Sequence, residues 1–405
     1  MRAGEEPSAD PRPAAARTTP LGEIARLFLK LGATAFGGPA AHIAMMEDEV
    51  VHRRAWLTRD EFLDLLGATN LIPGPNSTEL AIHIGHARAG IPGLVVAGVC
   101  FILPATAIVT ACAWAYVRFG RLPELAGILY GVKPVVIAVV LQALWRLGRT
   151  AVRGPWLALL ALAAAAANAL GVDELAVLGG AALLALAVHQ VRSSRPGTRP
   201  DAGMRAWAAA PALPMGLLAA AGTGVAASGA ASTFGLWPLF AFFAKVGSVL
   251  FGSGYVLLAF LRGGLVEERG WLTEAQLLDA VAIGQLTPGP VFTTATFIGY
   301  LLARGPGALA ATLGIFLPAF VFVAASGPLV PRLRRSVAAG AVLDAVNCAS
   351  LALMGVVTVT LASSAVVDRL TLALGLASAI CLLGLRVRSS WLVLAGALAG
   401  LVAHA

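Results

Sequence analysis

The chain has little charge. Charged side chains make up 12% of its 405 residues and hydrophobic residues 58%, whereas about 25% charged is usual in soluble domains. This shortage excludes a soluble globular fold. Three uncharged runs, at residues 91–117, 206–229 and 307–330, are each long enough to cross a hydrocarbon core of about 30 Å as a helix. We therefore predict an all-α polytopic membrane protein.

Cysteine patterns, ATP-binding motifs and an N-terminal apolar segment are also missing. The four cysteines, Cys100, Cys112, Cys348 and Cys381, have no spacing typical of a metal site or a disulfide framework. No Walker sequence is present, which argues against ATP hydrolysis. Residues 1–20 lack the apolar core of a signal peptide and are predicted to be a disordered tail. We expect an inner-membrane protein with no cofactor and no metal site.

The surplus of positive charge does not indicate a nucleic-acid-binding protein. The formal net charge is +8, but the basic residues are dispersed between hydrophobic segments. Dispersed loop charge of this kind sets the orientation of a membrane protein. We expect the lipid bilayer as a partner, expect no nucleic acid, and leave a homo-oligomer open.

A stretch centred on Pro-Gly-Pro occurs twice, at residues 70–79 and 285–294. Proline cannot continue a helix and glycine permits a tight turn, so the motif ends one helix and starts another. The sequence upstream of the motif repeats as well. The recurring residues are Phe28, Lys30, Gly32, Phe36, Gly37, Arg54, Trp56, Leu57, Thr58 and Asp64, which match Phe243, Lys245, Gly247, Phe251, Gly252, Arg269, Trp271, Leu272, Thr273 and Asp279.

The repeat divides the chain into four parts. We predict the tail at 1–20, a first repeat at 21–191, a basic linker with a connecting transmembrane helix at 192–233, and a second repeat at 234–405. The connecting helix adds an odd crossing between the repeats, and most arginines then fall on the cytoplasmic side. The two halves are therefore predicted to have inverted topology.

The Pro-Gly-Pro segments are predicted to be the tips of helices that turn back within the membrane. Residues 58–72 make about four helical turns, roughly 22 Å, which is too short to span the core. Capping-box patterns, Thr58-x-x-Glu61 and Thr273-x-x-Gln276, mark the start of the entering helix in each half. A single crossing helix that is broken at the motif is the alternative.

The tips are candidate anion sites. Non-helical backbone is tolerated at membrane depth only where it is buried or lines a cavity. Helix N-termini carry free N–H groups and the positive end of the helix dipole, and both favour anions. Two inverted tips are therefore expected to face one anion near the membrane midplane. The side chains that would add donors are Asn76, Ser77, Thr78, Thr293 and Thr294.

All three lysines of the chain lie in apolar segments: Lys30, its repeat mate Lys245, and Lys133. A lysine near the bilayer centre costs about 2.5–3.5 kcal/mol on insertion scales, so an internal anion or a carboxylate partner is expected. Snorkelling to the interface is the alternative. For Lys30 and Lys245 we give this alternative the same weight as an internal partner. For Lys133 we favour a function in the site and expect its loss to lower anion affinity.

Glu79 stands directly after the first tip, where a proton-binding carboxylate could couple to transport. The pattern Asn76-x-x-Glu79 fits a capping box equally well, and the second half has a threonine at this place. His42 is a candidate donor to the anion. His83 and His86 have no third ligand nearby in the sequence, which is poor support for a metal site.

Several motifs occur in a characteristic order. They are Phe36-Gly37-Gly38-Pro39-x-x-His42-Ile43, Arg53-Arg54-x-Trp56-Leu57, Pro73-Gly74-Pro75, Gly85, Gly90, Gly93 and Leu103-Pro104. Together they resemble the chromate ion transporter family over both halves, roughly residues 21–400. The resemblance implies a two-domain bacterial inner-membrane protein that exports chromate, with sulfate as the structural analogue.

The resemblance also implies functional positions. By motif they are Gly37, Gly38, Pro39, His42, Arg54, Pro73, Gly74 and Pro75 in the first half, and Phe251, Gly252, Pro288, Gly289 and Pro290 in the second. The chain departs from the family pattern at Asn76-Ser77-Thr78-Glu79, directly after the first tip. It departs again at Gly252-Ser253-Gly254 in the second half.

We expect a secondary transporter for chromate or a related tetrahedral oxyanion that works by alternating access of two inverted halves around the tips. The membrane potential releases about 4.6 kcal/mol per 100 mV when a dianion moves outward, so export needs no other energy source. Sulfate, another small anion and a proton-coupled organic anion are alternative substrates. A membrane-embedded enzyme that binds a phosphate headgroup is an alternative of another class, although the embedded acids lack a metal or nucleophile arrangement.

Overall fold

The computed structural model describes residues 19–35, 38–119, 123–193, 234–251, 256–326, 336–385, 387 and 389–403. Within these ranges all regular structure is helical, as predicted. The connecting run 206–229, most of the predicted tail, and two predicted site residues, Gly37 and Gly252, lie outside the described ranges.

The first half consists of helices joined by short breaks. Its elements are α1 (Leu21–Thr34), α2 (Gly38–Glu47), a π-helix (Asp48–Arg53), α3 (Arg59–Thr69), α4 (Asn76–Phe119), α5 (Pro123–Ala151), α6 (Pro155–Ala169) and α7 (Glu174–Ser193).

The second half repeats this order. Its elements are α8 (Leu236–Val249), α9 (Leu257–Leu261), a π-helix (Arg262–Glu267), α10 (Glu274–Leu286), a 3₁₀ turn (Val291–Thr293), α11 (Thr294–Ser326), α12 (Val337–Ala365), α13 (Arg369–Leu383) and α14 (Ser389–Ala403).

Long apolar helices make this a multi-pass membrane protein. In the described part of the chain, five helical stretches are long and apolar enough to cross a membrane, and these are Asn76–Phe119, Ala126–Ala151, Glu174–Val191, Val291–Ser326 and Val337–Ala365. The predicted run 91–117 lies in α4, and the described part of the run 307–330 lies in α11.

Each entering helix begins where the sequence predicts. The Glu61 amide donates to Thr58 Oγ1 at 3.2 Å, and the Thr58 amide donates to Glu61 Oε2 at 2.8 Å. Thr273 and Gln276 form the same reciprocal pair before α10, so both capping boxes are confirmed. α3 has 11 residues and α10 has 13. At 1.5 Å per residue they are about 17 and 20 Å long, too short for a core of about 30 Å.

The returning helix α4 begins at Asn76, but it has no capping box. Asn76 Nδ2 donates to Asn70 Oδ1 at 3.0 Å, and neither oxygen of the Glu79 carboxyl has a hydrogen-bond partner. Asn76 is itself the first helical residue, so its side chain is not at the N-cap position from which a box is formed. The interpretation of Glu79 as a capping acid is therefore wrong.

Helix α4 is a hairpin with two arms. A Cβ placed on Gly85 would overlap the carbonyl oxygen of Gly93 and lie 2.5 Å from the Ala97 Cβ, whereas Gly85 and Gly93 would be about 12 Å apart in a straight helix. The chain reverses at Ala89 and Gly90, both of which have non-helical φ and ψ. Gly90 has a φ of +61°, which glycine adopts without strain. The short arm is 76–88 and the long arm is 91–119.

Helix α11 has the same construction. Its backbone departs from helical angles at Ala303 and Arg304, and a Cβ on Gly299 would overlap the Gly307 carbonyl oxygen. These residues correspond to the turn and the glycine pair of α4. Close approach of the two arms through paired glycines is thus a shared feature of the repeats.

The tips join the two halves. The Gly74 amide donates to the Leu250 carbonyl at 2.8 Å, and the Gly289 amide donates to the Ala35 carbonyl at 3.0 Å. Ala35 and Leu250 follow the last residues of α1 and α8, at corresponding places in the repeats. Each Pro-Gly-Pro tip is therefore held by the broken first helix of the other half.

Helices α1–α4 and α8–α11, with their π-helices, form a central unit. α4 packs against α1, α3 and α11, and α11 packs against α8 and α10. The long arms of α4 and α11 pack against each other: a Cβ on Gly98 would overlap the Phe320 ring, and Leu94 shares an apolar cluster with Val323.

Helices α5–α7 and α12–α14 form an outer unit. α5 packs against α13 and α14, while α12 packs against α6 and α7. The backbones of α5 and α14 touch, since a Cβ on Gly131 would overlap the Gly396 carbonyl oxygen and a Cβ on Gly400 would overlap that of Gly127. The last two helices of each half therefore pack on the long helix of the other half, and the repeats interlock.

The paired glycines of the hairpins give the first prediction. We expect Gly85→Ala and Gly299→Ala each to lower the free energy of unfolding by about 1–3 kcal/mol, since the new methyl group meets backbone that cannot move aside. Thermal unfolding of the purified protein in detergent measures this. Gly179→Ala in α7 is the matched control, because nothing lies within 4 Å of its added Cβ. Equal stability of Gly85→Ala and Gly179→Ala would contradict the hairpin.

Candidate functional site

Both tips require glycine at their centre. Gly74 has a φ of +144° and Gly289 a φ of +94°, a region in which a side chain is strained. A Cβ on Gly74 would overlap Glu79 Oε1 and lie 3.6 Å from the Ala319 Cβ. A Cβ on Gly289 would lie 2.5 Å from the Ala105 Cβ. Ala105 and Ala319 occupy corresponding places, so each tip lies against the long arm of the opposite hairpin.

The first tip opens a helix that offers free amides. The amides of Thr78 and Glu79 both donate to the Pro75 carbonyl, at 2.8 and 2.9 Å. The amides of Asn76 and Ser77 have no acceptor among the described residues, as expected for the first turn of a helix. These two N–H groups and the helix dipole make the tip favourable to an anion.

Polar side chains at the first tip are buried and unpaired. Ser77, Thr78 and Glu79 are 3%, 0% and 0% exposed. Thr78 Oγ1 and both Glu79 carboxyl oxygens have no hydrogen-bond partner among the described residues. Buried polar groups without partners are unfavourable in a finished fold. Their presence at the first tip indicates that these side chains have a functional role rather than a role in packing.

The second tip differs in this respect. The hydroxyl of Thr293 donates to the Pro290 carbonyl at 2.8 Å, and that of Thr294 donates to the Val291 carbonyl at 2.8 Å. Their protons are thereby engaged with the backbone in this conformation. Of the predicted donor side chains, Thr78 has no hydrogen-bond partner among the described residues, whereas Asn76 already donates one hydrogen bond to Asn70.

His42 lies beside the second tip. Its Nε2 is 3.1 Å from the Ala35 carbonyl oxygen, which also accepts from the Gly289 amide, and its ring packs edge-on against Phe101. A neutral ring that donates from Nε2 has a lone pair on Nδ1, so His42 can donate to an anion only when it is doubly protonated. Gly38 and Pro39 begin α2, in the break that follows Ala35.

The two repeat-mate lysines have different surroundings. Lys30 Nζ lies 2.7 Å from Glu49 Oε1, and its side chain is 54% exposed. The hydrogen bond from Lys30, with the nearby charges of Arg54 and Arg53, holds the pKa of Glu49 below its ordinary value, so the carboxylate stays ionised. Lys245 has no acidic partner among the described residues. It is half-buried in α8.

Lys133 forms an ion pair that connects the outer and central units. Its Nζ lies 2.9 Å from Asp279 Oδ1, and the Tyr116 hydroxyl donates to Asp279 Oδ2 at 2.8 Å. The side chains of Lys133 and Asp279 are 20% and 7% exposed. Asp279 precedes the tip residue Pro288 by nine residues, about 13 Å along the chain if helical. Lys133 thus has the carboxylate partner that the sequence led us to expect, at some distance from the tip.

Several features of the site could not be predicted from the sequence. The carbonyls of Ala35 and Leu250 are not distinguished by side chain, and the partners of Lys133 lie far from it in the chain. His83 is different, because it follows Glu79 by four residues, and this spacing places both side chains on one face of a helix. It is 7% exposed, and its Nε2 has no partner in the described structure. The described residues contain no cluster of three or more metal-ligating side chains.

Comparison with known proteins gives the family. The family model described as chromate transporter matches the chain twice, at residues 22–186 and 237–401. A chromate transport protein of Cupriavidus metallidurans is 36% identical over 397 residues, which cover 96% of this chain and 94% of that protein. A probable chromate transport protein of Synechococcus elongatus is 30% identical over 391 residues, with coverage of 94% and 95%.

A third relative is similar over less of its length. The chromate transport protein of Pseudomonas aeruginosa is 32% identical over 338 residues, which cover 83% of this chain and 79% of that protein. No solved structure matches this chain significantly.

The Lys133–Asp279 pair gives the second prediction. We expect Lys133→Met to lower the free energy of unfolding by about 1–3 kcal/mol, because it leaves the Asp279 carboxylate buried and without its cation. Asp279→Asn alone should destabilise the protein by a similar amount. The double variant should recover most of the loss, and thermal unfolding of all four proteins measures the coupling. Additive losses in the double variant would show that the pair contributes nothing.

Proposed function

Since the chain belongs to the chromate transporter family, we propose that it carries chromate or a related tetrahedral oxyanion across the plasma membrane by alternating access, with the oxyanion bound at the Pro-Gly-Pro tips. The family is one of membrane transporters and not of enzymes. The observation that carries the proposal is the crossed pair of hydrogen bonds from Gly74 to Leu250 and from Gly289 to Ala35. Through these bonds the tip of each half is held against the end of the first helix of the other half.

The proposed topology is inverted, with the tips as re-entrant turns. The long arms of α4 and α11 correspond to each other in the repeats. The contact of Gly98 with Phe320 and the cluster that holds Leu94 and Val323 are what we expect if these arms run in opposite directions. Two halves inserted in the same direction would place these arms parallel. Gly289 lies against Ala105, which is halfway along the long arm 91–119, and this contact supports a tip near the midplane.

The proposed anion ligands are backbone amides and hydroxyls of the first tip. A tetrahedral oxyanion presents oxygens that accept hydrogen bonds, and amides at a helix N-terminus donate to such groups. The unpaired amides of Asn76 and Ser77 and the unpaired Thr78 hydroxyl meet this need. His42, Lys30 and Lys245 are retained as candidates that would add positive charge. Lys133 is retained as well, acting through its contact with Asp279.

The proposed motion is between the central and outer units. Both units contain helices of both halves, so one half cannot rotate as a body against the other without breaking the crossed contacts at the tips. A central unit that shifts relative to the outer unit keeps those contacts. Export is the proposed direction, because the membrane potential favours outward movement of a dianion by about 4.6 kcal/mol per 100 mV.

Flux measurements test the substrate. We expect purified protein in proteoliposomes to carry radiolabelled chromate or sulfate in a manner that depends on an imposed potential. Gly74→Ala and Gly289→Ala should each reduce the flux at least about tenfold, because a strained, overpacked tip misplaces its ligands. Gly22→Ala is the control, since its added Cβ meets nothing within 4 Å. No oxyanion flux by the wild-type protein under any gradient would refute the proposal.

Cysteine labelling tests the topology. Ile91 and Gly305 are corresponding exposed residues directly after the two hairpin turns. In a background with the four native cysteines replaced by alanine, Ile91→Cys and Gly305→Cys should react with a membrane-impermeant maleimide from opposite sides. Inside-out vesicles compared with intact cells measure this. Reaction of both residues from the same side would contradict inversion.

A further inference from the structure

We propose that Glu79, His83 and His86 form a proton route from the first tip to one face of the membrane, so that oxyanion transport is coupled to movement of protons. This inference rests on the proposed function. It adds the second ion that is carried and the residues that carry it. It also gives a use to two histidines for which the sequence suggested none.

The three side chains lie in one line along the short arm of α4. Residues four and three apart in a helix point to the same face, with Cβ atoms about 5–6 Å apart. Glu79, His83 and His86 follow this spacing within the short arm 76–88. They cover about 10 Å of helix length, and each gap is within reach of a direct contact or one bridging water.

The inner part of the line is buried and unpaired. Glu79 is 0% and His83 is 7% exposed. Both Glu79 carboxyl oxygens and His83 Nε2 have no hydrogen-bond partner among the described residues. A carboxylate in such a place is far less favourable than the neutral acid, so Glu79 holds a proton in this conformation. His83 is the titratable group next to it along the arm.

The elements packed around the short arm bring no other charge to Glu79. α11 presents the apolar residues Ala319, Phe320 and Val323. The charged or titratable side chains of the neighbouring described elements are engaged elsewhere or exposed. These are Glu23, Arg26 and Lys30 of α1, His42 and Glu47 of α2, Asp48, Glu49, His52 and Arg53 of the π-helix, Arg59, Asp60, Glu61 and Asp64 of α3, Asp279 of α10, and Arg304 of α11.

The outer end of the line reaches the surface. His86 is half-buried, one turn before the exposed Gly90. Beside it, Arg88 Nη1 donates to the Trp56 carbonyl at 2.8 Å and Arg88 Nε donates to Thr19 Oγ1 at 2.9 Å. These bonds fix the end of the short arm against the segment before α1 and the Trp56 backbone. In the proposed route, His86 is the group that exchanges protons with water at this end.

The route exists in one half only. The residues of α11 that correspond to His83 and His86 are Phe297 and Tyr300, and Phe297 is fully buried. The second tip has Thr294 where the first has Glu79. Because the repeats differ in this way, the route connects the site to one face only, and at the other face the proton enters or leaves together with the oxyanion.

Coupling follows from the charges. The Glu79 carboxyl touches Gly74 at the tip, so an ionised Glu79 repels a dianion held there, whereas the neutral acid does not. Proton and oxyanion therefore bind together. When the oxyanion leaves, the Glu79 O–H bond breaks and its proton passes to the His83 ring, then from His83 to His86 and to water. No electron transfer or further reactant is involved.

The test follows oxyanion and proton together in proteoliposomes. Radiolabelled chromate or sulfate reports the oxyanion, an entrapped pH dye reports protons, and valinomycin with potassium fixes the potential. For the wild-type protein we expect co-transported protons, and an oxyanion affinity that falls up to about tenfold per pH unit as Glu79 ionises. Oxyanion flux without proton movement and without pH dependence overturns the route while leaving the transporter proposal standing. No flux at all overturns both.

Substitutions assign the residues. Glu79→Gln imitates the neutral acid and should retain oxyanion exchange between the two faces, while the proton signal and the pH dependence disappear. His83→Gln should slow net proton-coupled flux at least about tenfold and leave exchange at the wild-type rate, because exchange needs no proton release. His52→Gln is the control and should behave as wild type, because His52 is an exposed residue of the first π-helix.

Two outcomes overturn the assignment. Proton coupling that survives Glu79→Gln shows that another group carries the proton. If net flux and exchange fall by the same factor in His83→Gln, then His83 is needed for the folded structure and not for proton transfer. If Glu79→Gln does not reconstitute, Glu79→Asp replaces it, and this variant must keep the proton signal.

Discussion

The constraint on which this structure depends is that backbone N–H and C=O groups at membrane depth must find partners inside the protein. Each half interrupts its helices where α1 or α8 ends and again at its tip, which leaves amides and carbonyls without helical partners. The halves satisfy some of these groups for each other, since the Gly74 amide bonds to Leu250 and the Gly289 amide bonds to Ala35. A single repeat would need a second copy to close both breaks. The two repeats therefore depend on each other for these contacts.

The repeats agree in backbone and differ in charge. Both tips need glycine, and both hairpins turn on paired glycines. Yet Lys30 pairs with Glu49, whereas the residue that corresponds to Glu49 in the second half is Gly264, and an acid stands after the first tip only. Close packing fixes the backbone of both halves, while the charged side chains differ between them even at buried positions such as Glu49 and Glu79. The backbone of the site is thus similar in both halves, whereas the charged side chains compared here lie in the first half.

Local features of the fold could be predicted from the sequence, and contacts between the halves could not. The capping residues Thr58 and Thr273 and the helix breaks at the tips follow from local chemistry. The crossed hydrogen bonds use main-chain atoms, and any residue has those. The partner of Lys133 lies on a helix of the other repeat, so spacing gives no hint of it. Glu79 was ambiguous because an acid three residues into a helix fits a cap or a function equally.

The position of the Lys133–Asp279 pair bears on how the transporter opens. Lys133 belongs to the outer unit, while Asp279 and Tyr116 belong to the central unit. The shift between the units that we propose would separate the two charges. In a dry interior this separation is costly, whereas water that enters the interface solvates both ions and lowers the cost. In the proposed mechanism the pair would therefore favour the arrangement described here until water reaches it. Lys133 would in this way act on transport through the conformational equilibrium without touching the oxyanion.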